Sequence, residues 1–196
     1  MPLWGATDSD ESKPKFLTDE QKKLVYATKS GWVLENGALT GNDNPNADPE
    51  ILVAIGELAT SIGSADITEL EFISTAFDVS AGGTIQVRAR FNEEVDVDTS
   101  GGVPFLAITN GNQGTGSGRG PHNAAYSSGT GTNELVFAIT IGAAAGSIAA
   151  DDVLVVGANA INLNSGTIKD AGTSTNATIT NVEAIGTAAG SITAVA

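Results

Sequence analysis

Apolar and polar positions alternate most regularly between residues 84 and 141. Ile85, Val87, Ala89 and Phe91 take turns with Thr84, Gln86, Arg88 and Arg90, a period of two that puts one row in a core and the other in water. A second such row runs through 134–141, where Leu135, Phe137, Ile139 and Ile141 face away from Glu134, Ala138 and Thr140. Between the two rows, Gly101-Gly102, the run from Gly111 to Pro121 and Gly129-Thr-Gly131 are turn signals bounding short apolar stretches, which predicts antiparallel sheet. The same pattern places strands near 67–74, 84–91, 103–109, 122–127, 133–141, 153–163 and 176–182. Seven short strands with no long helical period between them predict an all-β sandwich of two packed sheets. Gly142 to Ala150 reads as a small-residue turn or a brief helix, and 183–196 as a terminal strand or a docking tail.

The pattern upstream is different. Residues 1–17 have neither period and carry two prolines, so an extended arm is expected, and Trp4, Phe16 and Leu17 are costly enough in water that this arm should pack on something. Thr18 to Gln21 has the form of a capping box and opens a helix expected to run to about Thr28. Its apolar face is thin, Leu24 and Val25 with Tyr26 beside them, so it needs a neighbour. Gly31 to Leu34, with Trp32, reads as a short strand, 35–50 as a polar loop and Ile51 to Leu58 as a buried strand. A boundary is expected near Thr60 to Ser64. The chain thus divides into an arm and small module over 1–60, a sandwich over 65–182 and a tail over 183–196.

Composition narrows the function. The chain has 196 residues, enough for one full core with about fifty residues left for a second small unit. It has no cysteine, so disulfides and thiolate metal sites are excluded. No apolar run reaches the length of a membrane span, and acids stand where a signal peptide needs a basic and then an apolar segment, so a soluble, non-secretory product with no membrane partner is expected. The net charge of −14 argues against nucleic acid as a ligand, since phosphate binding needs a cationic footprint. Residues 1–30 hold five lysines and five acids, while 31–196 hold four basic residues and eighteen acids. The arm is neutral and the body acidic.

Candidate chemistry is sparse. His122 is the one histidine; it lies beside a Gly-rich run with no nucleophile elbow and no second ligand, so it reads as a loop histidine rather than part of a triad. Gly111 to Gly120 lacks the Gly-Lys-Ser/Thr ending and the following helix that a phosphate loop requires, and reads as a long loop. Glu93, Glu94, Asp96 and Asp98, and the pair Asp151-Asp152, are the carboxylates that calcium could use, but no EF-hand spacing joins them and solvated turns are the simpler reading. Lys13, Lys15, Lys22, Lys23 and Lys29 are interleaved with acids, as on a solvated helix face. The chain is therefore expected to be non-enzymatic and to need no cofactor.

Two stretches carry family resemblances. Phe91-Asn-Glu-Glu-Val-Asp-Val-Asp-Thr-Ser-Gly-Gly-Val-Pro-Phe-Leu, Ala125-Tyr-Ser-Ser-Gly-Thr-Gly-Thr-Asn-Glu-Leu-Val-Phe and Ile161-Asn-Leu-Asn-Ser-Gly-Thr-Ile-Lys-Asp-Ala-Gly, together spanning about 84–172, resemble the bacterial Ig-like repeat of large surface and adhesion proteins. That implies a Greek-key sandwich that spaces or binds. Those proteins carry tandem copies, whereas this sequence has one and no internal repeat. Trp4-Gly, Ser12-Lys-Pro-Lys-Phe-Leu17, Tyr26-Ala-Thr-Lys-Ser-Gly-Trp-Val33 and Ile51-Leu-Val-Ala-Ile55 are similar to the start of virion structural proteins of tailed phages of marine bacteria.

Together the resemblances imply a virion protein, foremost a capsid decoration or cement protein. Its N-terminal segment, through Trp4, Phe16, Leu17, Tyr26 and Trp32, would bind the major capsid protein or another virion protein, and its Ig-like body would project. A homo-oligomer is compatible with that role. The alternatives are a neck or tail accessory protein, or a cell-surface or extracellular Ig-like adhesion module.

Overall fold

The computed structural model of the chain describes residues 13–35, 38, 44, 48–60, 62–110 and 120–196. Among the described residues strands make up 51% and helices 7%, so the protein is all-β. In chain order the elements are helix α1 (Asp19–Lys23), strands β1 (Val25–Thr28), β2 (Gly31–Leu34) and β3 (Glu50–Ala54), a single 3-10 turn (Leu58–Thr60), β4 (Ile67–Phe72), β5 (Phe77–Asp78), β6 (Gly83–Asp98), β7 (Phe105–Asn110), β8 (His122–Ser128), β9 (Thr132–Ile141), β10 (Val153–Asn162), β11 (Thr167–Asp170), helix α2 (Glu183–Ala188) and β12 (Ser191–Val195).

The pairing runs β3-β2-β1-β6-β9-β8-β7-β10-β12-β5, with β4 and β11 also on β6. Strand β6 organises it. Its first half pairs antiparallel with β9, Thr84 opposite Thr140 and Arg90 opposite Glu134, and with β4, Leu70 opposite Ala89. After an irregularity its second half turns to β11, Asp98 to Val95 running opposite Thr167 to Asp170. The inward row Ile85, Val87, Ala89 and Phe91 is buried, as the alternation requires, and joins Leu135, Phe137, Leu106, Ile108, Leu154, Val156, Ile192 and Ala194 in one core. This is the core of a β-sandwich. Its last strand, β12, runs antiparallel to β10 and parallel to β5.

Several expected boundaries move. The helix opened by Thr18 stops after one turn at Lys23, and 25–28 is strand instead, because Val25 and Tyr26 gain a β2 partner that a helix would deny them. Strand β6 continues seven residues past Phe91, through acids that read as loop. No strand forms over 176–182, where isolated bridges at Asn176 and Thr178 hold the chain in place, while β11 was hidden in the Asn-Ser-Gly turn region before it. The tail is a helix and a strand, with α2 packed on β10 and β4.

The N-terminal part has a core of its own, running from Leu17 to Ile62: Leu17, Val25, Ala27, Trp32, Leu34, Leu58, Ala59 and Ile62. The sandwich core begins at Ala65. A β-carbon at Gly31, whose φ is +132°, would run into the carbonyl of Val53, so the β1–β2 turn closes against β3 only with glycine there.

Candidate functional site

The N-terminal module is built by short-range chemistry. Thr18 and Gln21 exchange reciprocal bonds, Gln21 N–H to Thr18 Oγ1 at 3.2 Å and Thr18 N–H to Gln21 Oε1 at 3.0 Å, which fixes the one-turn helix. Lys22 and Lys23 pair with Asp19 and Glu20 on its surface. Lys13 departs from the expected solvated face: it is buried and donates to the Lys22 carbonyl at 2.8 Å.

The five residues expected at the attachment surface separate. Trp4 lies outside the described residues. Phe16 is 69% exposed. Leu17, Tyr26 and Trp32 are buried, Trp32 completely, and Leu17 and Trp32 belong to the module's own core. Trp32 holds the small sheet together and offers nothing to a partner while that sheet is folded. A residue read from sequence as buried takes its place: Ile51 on β3 is 58% exposed. Among the described residues no strand pairs with the outer edge of β3, which ends the sheet. Phe16 and Ile51 thus stand out from a module whose edge strand is open, an arrangement suited to strand addition.

A second feature lies where the module meets the sandwich. Arg88 and Arg90 belong to the outward row of β6, expected in water. Arg90 is in fact 6% exposed. It donates to Glu134 from Nε at 2.9 Å and from Nη2 at 2.7 Å, pairs through Nη1 with Glu69, and has Glu35 Oε1 at 3.1 Å from Nε. Arg88 pairs with Glu71 and, at 3.4 Å, with Glu134. Glu69 and Glu71 on β4, Arg88 and Arg90 on β6 and Glu134 on β9 therefore make a charge ladder across three strands, and Glu35 of the module caps one end of it. Glu35 also accepts from Asn133 Nδ2 at 2.8 Å. Burial pushes the Glu35 carboxyl above its ordinary range despite Asn133 and Arg90. Burial likewise raises the phenol of Tyr26, which faces Glu94, Glu35 and Glu134.

Sequence reading missed this junction because strand alternation reports a face, not what covers it. A usable signal was present: Glu-x-Glu at 69–71 and Arg-x-Arg at 88–90 have the same period, so adjacent strands could pair them.

The remaining candidates resolve into structure. His122 is not in a loop but on β8, buried, with Nε2 3.2 Å from Asn110 Oδ1, and Asn110 in turn donates to Asp152 at 3.1 Å. Asp152, expected in a solvated turn, is fully buried and also accepts from the Ala149 N–H at 2.8 Å. Burial lowers the His122 pKa, partly offset by Asp152. Asp98 accepts from the Ser100 N–H at 2.8 Å, and Asp96 lies opposite Lys169 in the β6–β11 ladder. Among the described residues no group of three or more His, Cys, Asp or Glu side chains is placed to hold a metal ion. The Gly-rich run 111–119 lies outside them, and no described helix is long and apolar enough to cross a membrane. In comparisons with known proteins, no family model, no curated protein and no solved structure matches the chain.

Proposed function

We propose that the protein is a non-enzymatic virion structural component, a capsid decoration or cement protein that binds the particle through its N-terminal module and displays an Ig-like Greek-key domain. A neck or tail accessory is the same reading at another place on the particle. The observation that carries it is the two-part build. An acidic sandwich is joined to a small sheet whose open edge strand and projecting Phe16 and Ile51 lie at one end of the chain. Near-neutral charge over residues 1–30 lets copies crowd at that end while the bodies repel. The Ig-like reading is supported by β10 lying between β7 and β12, by β9 between β6 and β8, and by the parallel β5–β12 pair. The N-terminal resemblance to phage virion proteins supplies the choice of partner, a major capsid protein or another virion protein.

Mass spectrometry of purified particles tests this, with the copy ratio to the major capsid protein as the readout. A defined ratio is expected, and Phe16→Asp with Ile51→Asp should abolish rebinding to particles lacking the protein. Absence from particles together with recovery at a cell surface would replace this reading with the adhesion module.

A further inference from the structure

We infer that Glu35 is a latch by which the N-terminal module is held on the sandwich and can be let go as a unit. The inference stands whether or not the partner is a virion. Three observations carry it.

The two hydrophobic cores do not merge: one ends at Ile62 and the other starts at Ala65. Among the described residues, strand pairing across the junction is a single parallel bridge, Ala27 to Glu93. Among the described residues the junction is flanked by two grooves. A groove of about 440 Å³ lies on one side, lined by Lys13, Lys23, Thr68, Glu69, Ile185 and Ala188, and one of about 260 Å³ on the other, between Tyr26, Pro49, Asn133 and Glu134.

The charge arithmetic of the junction also favours a latch. Arg90 is served by three carboxylates, Glu35, Glu69 and Glu134. When Glu35 leaves, two remain, so the sandwich keeps its buried guanidinium paired and suffers none of the penalty that an orphaned charge would impose. Glu35 itself returns to water from a place where its burial is unfavourable to the charged form. Glu134 is the contrasting case: it bridges Arg88 and Arg90, and its removal would break the ladder within the sandwich. Glu35 is positioned from the module side by its own backbone, whose N–H donates to the Leu24 carbonyl at 3.0 Å. The contact therefore moves with the module.

One packing contact competes for the role. A β-carbon at Gly172 would come within 2.8 Å of the Ala59 carbonyl oxygen, so the turn after β11 sits hard against the module.

The absence of native cysteine allows a direct test in the full chain. Ile51→Cys on the module and Val182→Cys on the sandwich, both exposed, take a spin-label or dye pair, and the distance distribution between them reports opening. Glu35→Ala should raise the separated population about tenfold, the scale set by leaving the buried Asn133 amide without its acceptor in the closed state. Amide protection in β2 and β9 should persist. Glu35→Gln, which retains the oxygen that Asn133 uses, should stay mostly closed. An unchanged distribution in Glu35→Ala would overturn the latch. So would separation produced by Gly172→Ala and not by Glu35→Ala, or separation seen only together with lost protection in β2.

Discussion

The module and the sandwich are both sheets closed over a buried aromatic, yet they are secured in different ways. In the sandwich, Phe137 sits in β9 with β6 on one side and β8 on the other, its ring meeting Tyr126 edge-on at 6.2 Å. In the module, Trp32 sits in a three-stranded sheet of four- and five-residue strands with one edge open among the described residues. Small sheets of this kind are marginal unless they pack on something larger. The difference teaches where each part spends its polar groups. The sandwich places its charge ladder across its own strands, whereas the module reaches out with Glu35 to borrow one rung.

The largest effects should come from the two aromatics, and where they are felt tests the comparison. Phe137→Ala should cost about 3–5 kcal/mol and shift the sandwich transition, because it loses transfer energy and leaves a cavity at the centre of β9. Trp32→Ala removes a comparable amount from a core of eight buried apolar residues among the described ones, so the module should unfold while β6 and β9 stay protected. Segment-resolved hydrogen exchange reads both. If Trp32→Ala also strips protection from β9, the two cores are one cooperative unit and the contrast collapses.

Charge comes next. Glu134→Ala should cost about 1.5–3 kcal/mol in denaturant unfolding, since its carboxylate serves both arginines and Arg90 is buried. Alternation alone would rate Glu134 as an outward residue whose loss is nearly free. A cost under about 0.5 kcal/mol, the ordinary surface value, would show that Glu69 and Glu71 suffice to hold the ladder.

That example marks how far the sequence is legible. The inward rows of β6 and β9 were readable because alternation is a local property, and the inside of Ile85, Val87, Leu135 and Phe137 follows from it. Gly31 was readable as the first residue of a short strand but not as the residue whose missing side chain lets β3 approach. The length of β6 was hidden because Glu93 to Asp98 looks solvent-bound until β1 and β11 are known to cover it. Trp32 and Ile51 exchanged roles for a similar reason. Hydrophobicity says that a residue seeks contact, and only topology says whether the contact lies within the chain.

A smaller change probes how the module closes. Gly31→Ala should destabilise the module by more than about 1 kcal/mol, because its φ lies where an L side chain is strained and its β-carbon would meet the Val53 carbonyl. The sandwich transition should not move. A shift of both in the same melt would tie the β1–β2 turn to the larger core.

The smallest effect is also the sharpest contrast, because acid should act on the two regions with opposite sign. Burial disfavours the charged form of His122 and, against the pull of Asp152, holds its folded pKa below the ordinary value of 6.5. As pH falls through that value the unfolded chain takes up the proton first, and the sandwich loses stability. Glu35 is the reverse case. Burial holds its folded pKa above the ordinary 4.5, with Asn133 and Arg90, and more weakly Arg88, pulling it down and Glu134 pushing it up. Its contribution is complete below 4.5 and declines as pH rises through the folded value, so the junction should be tighter in acid. From neutral pH down to 4.5, denaturant melts should show the sandwich weakening while the distance distribution across the junction narrows. His122→Gln should flatten the first trend and leave the second, and Glu35→Gln should do the converse. Parallel trends in the two readouts would mean that the junction has no titration of its own and follows the sandwich.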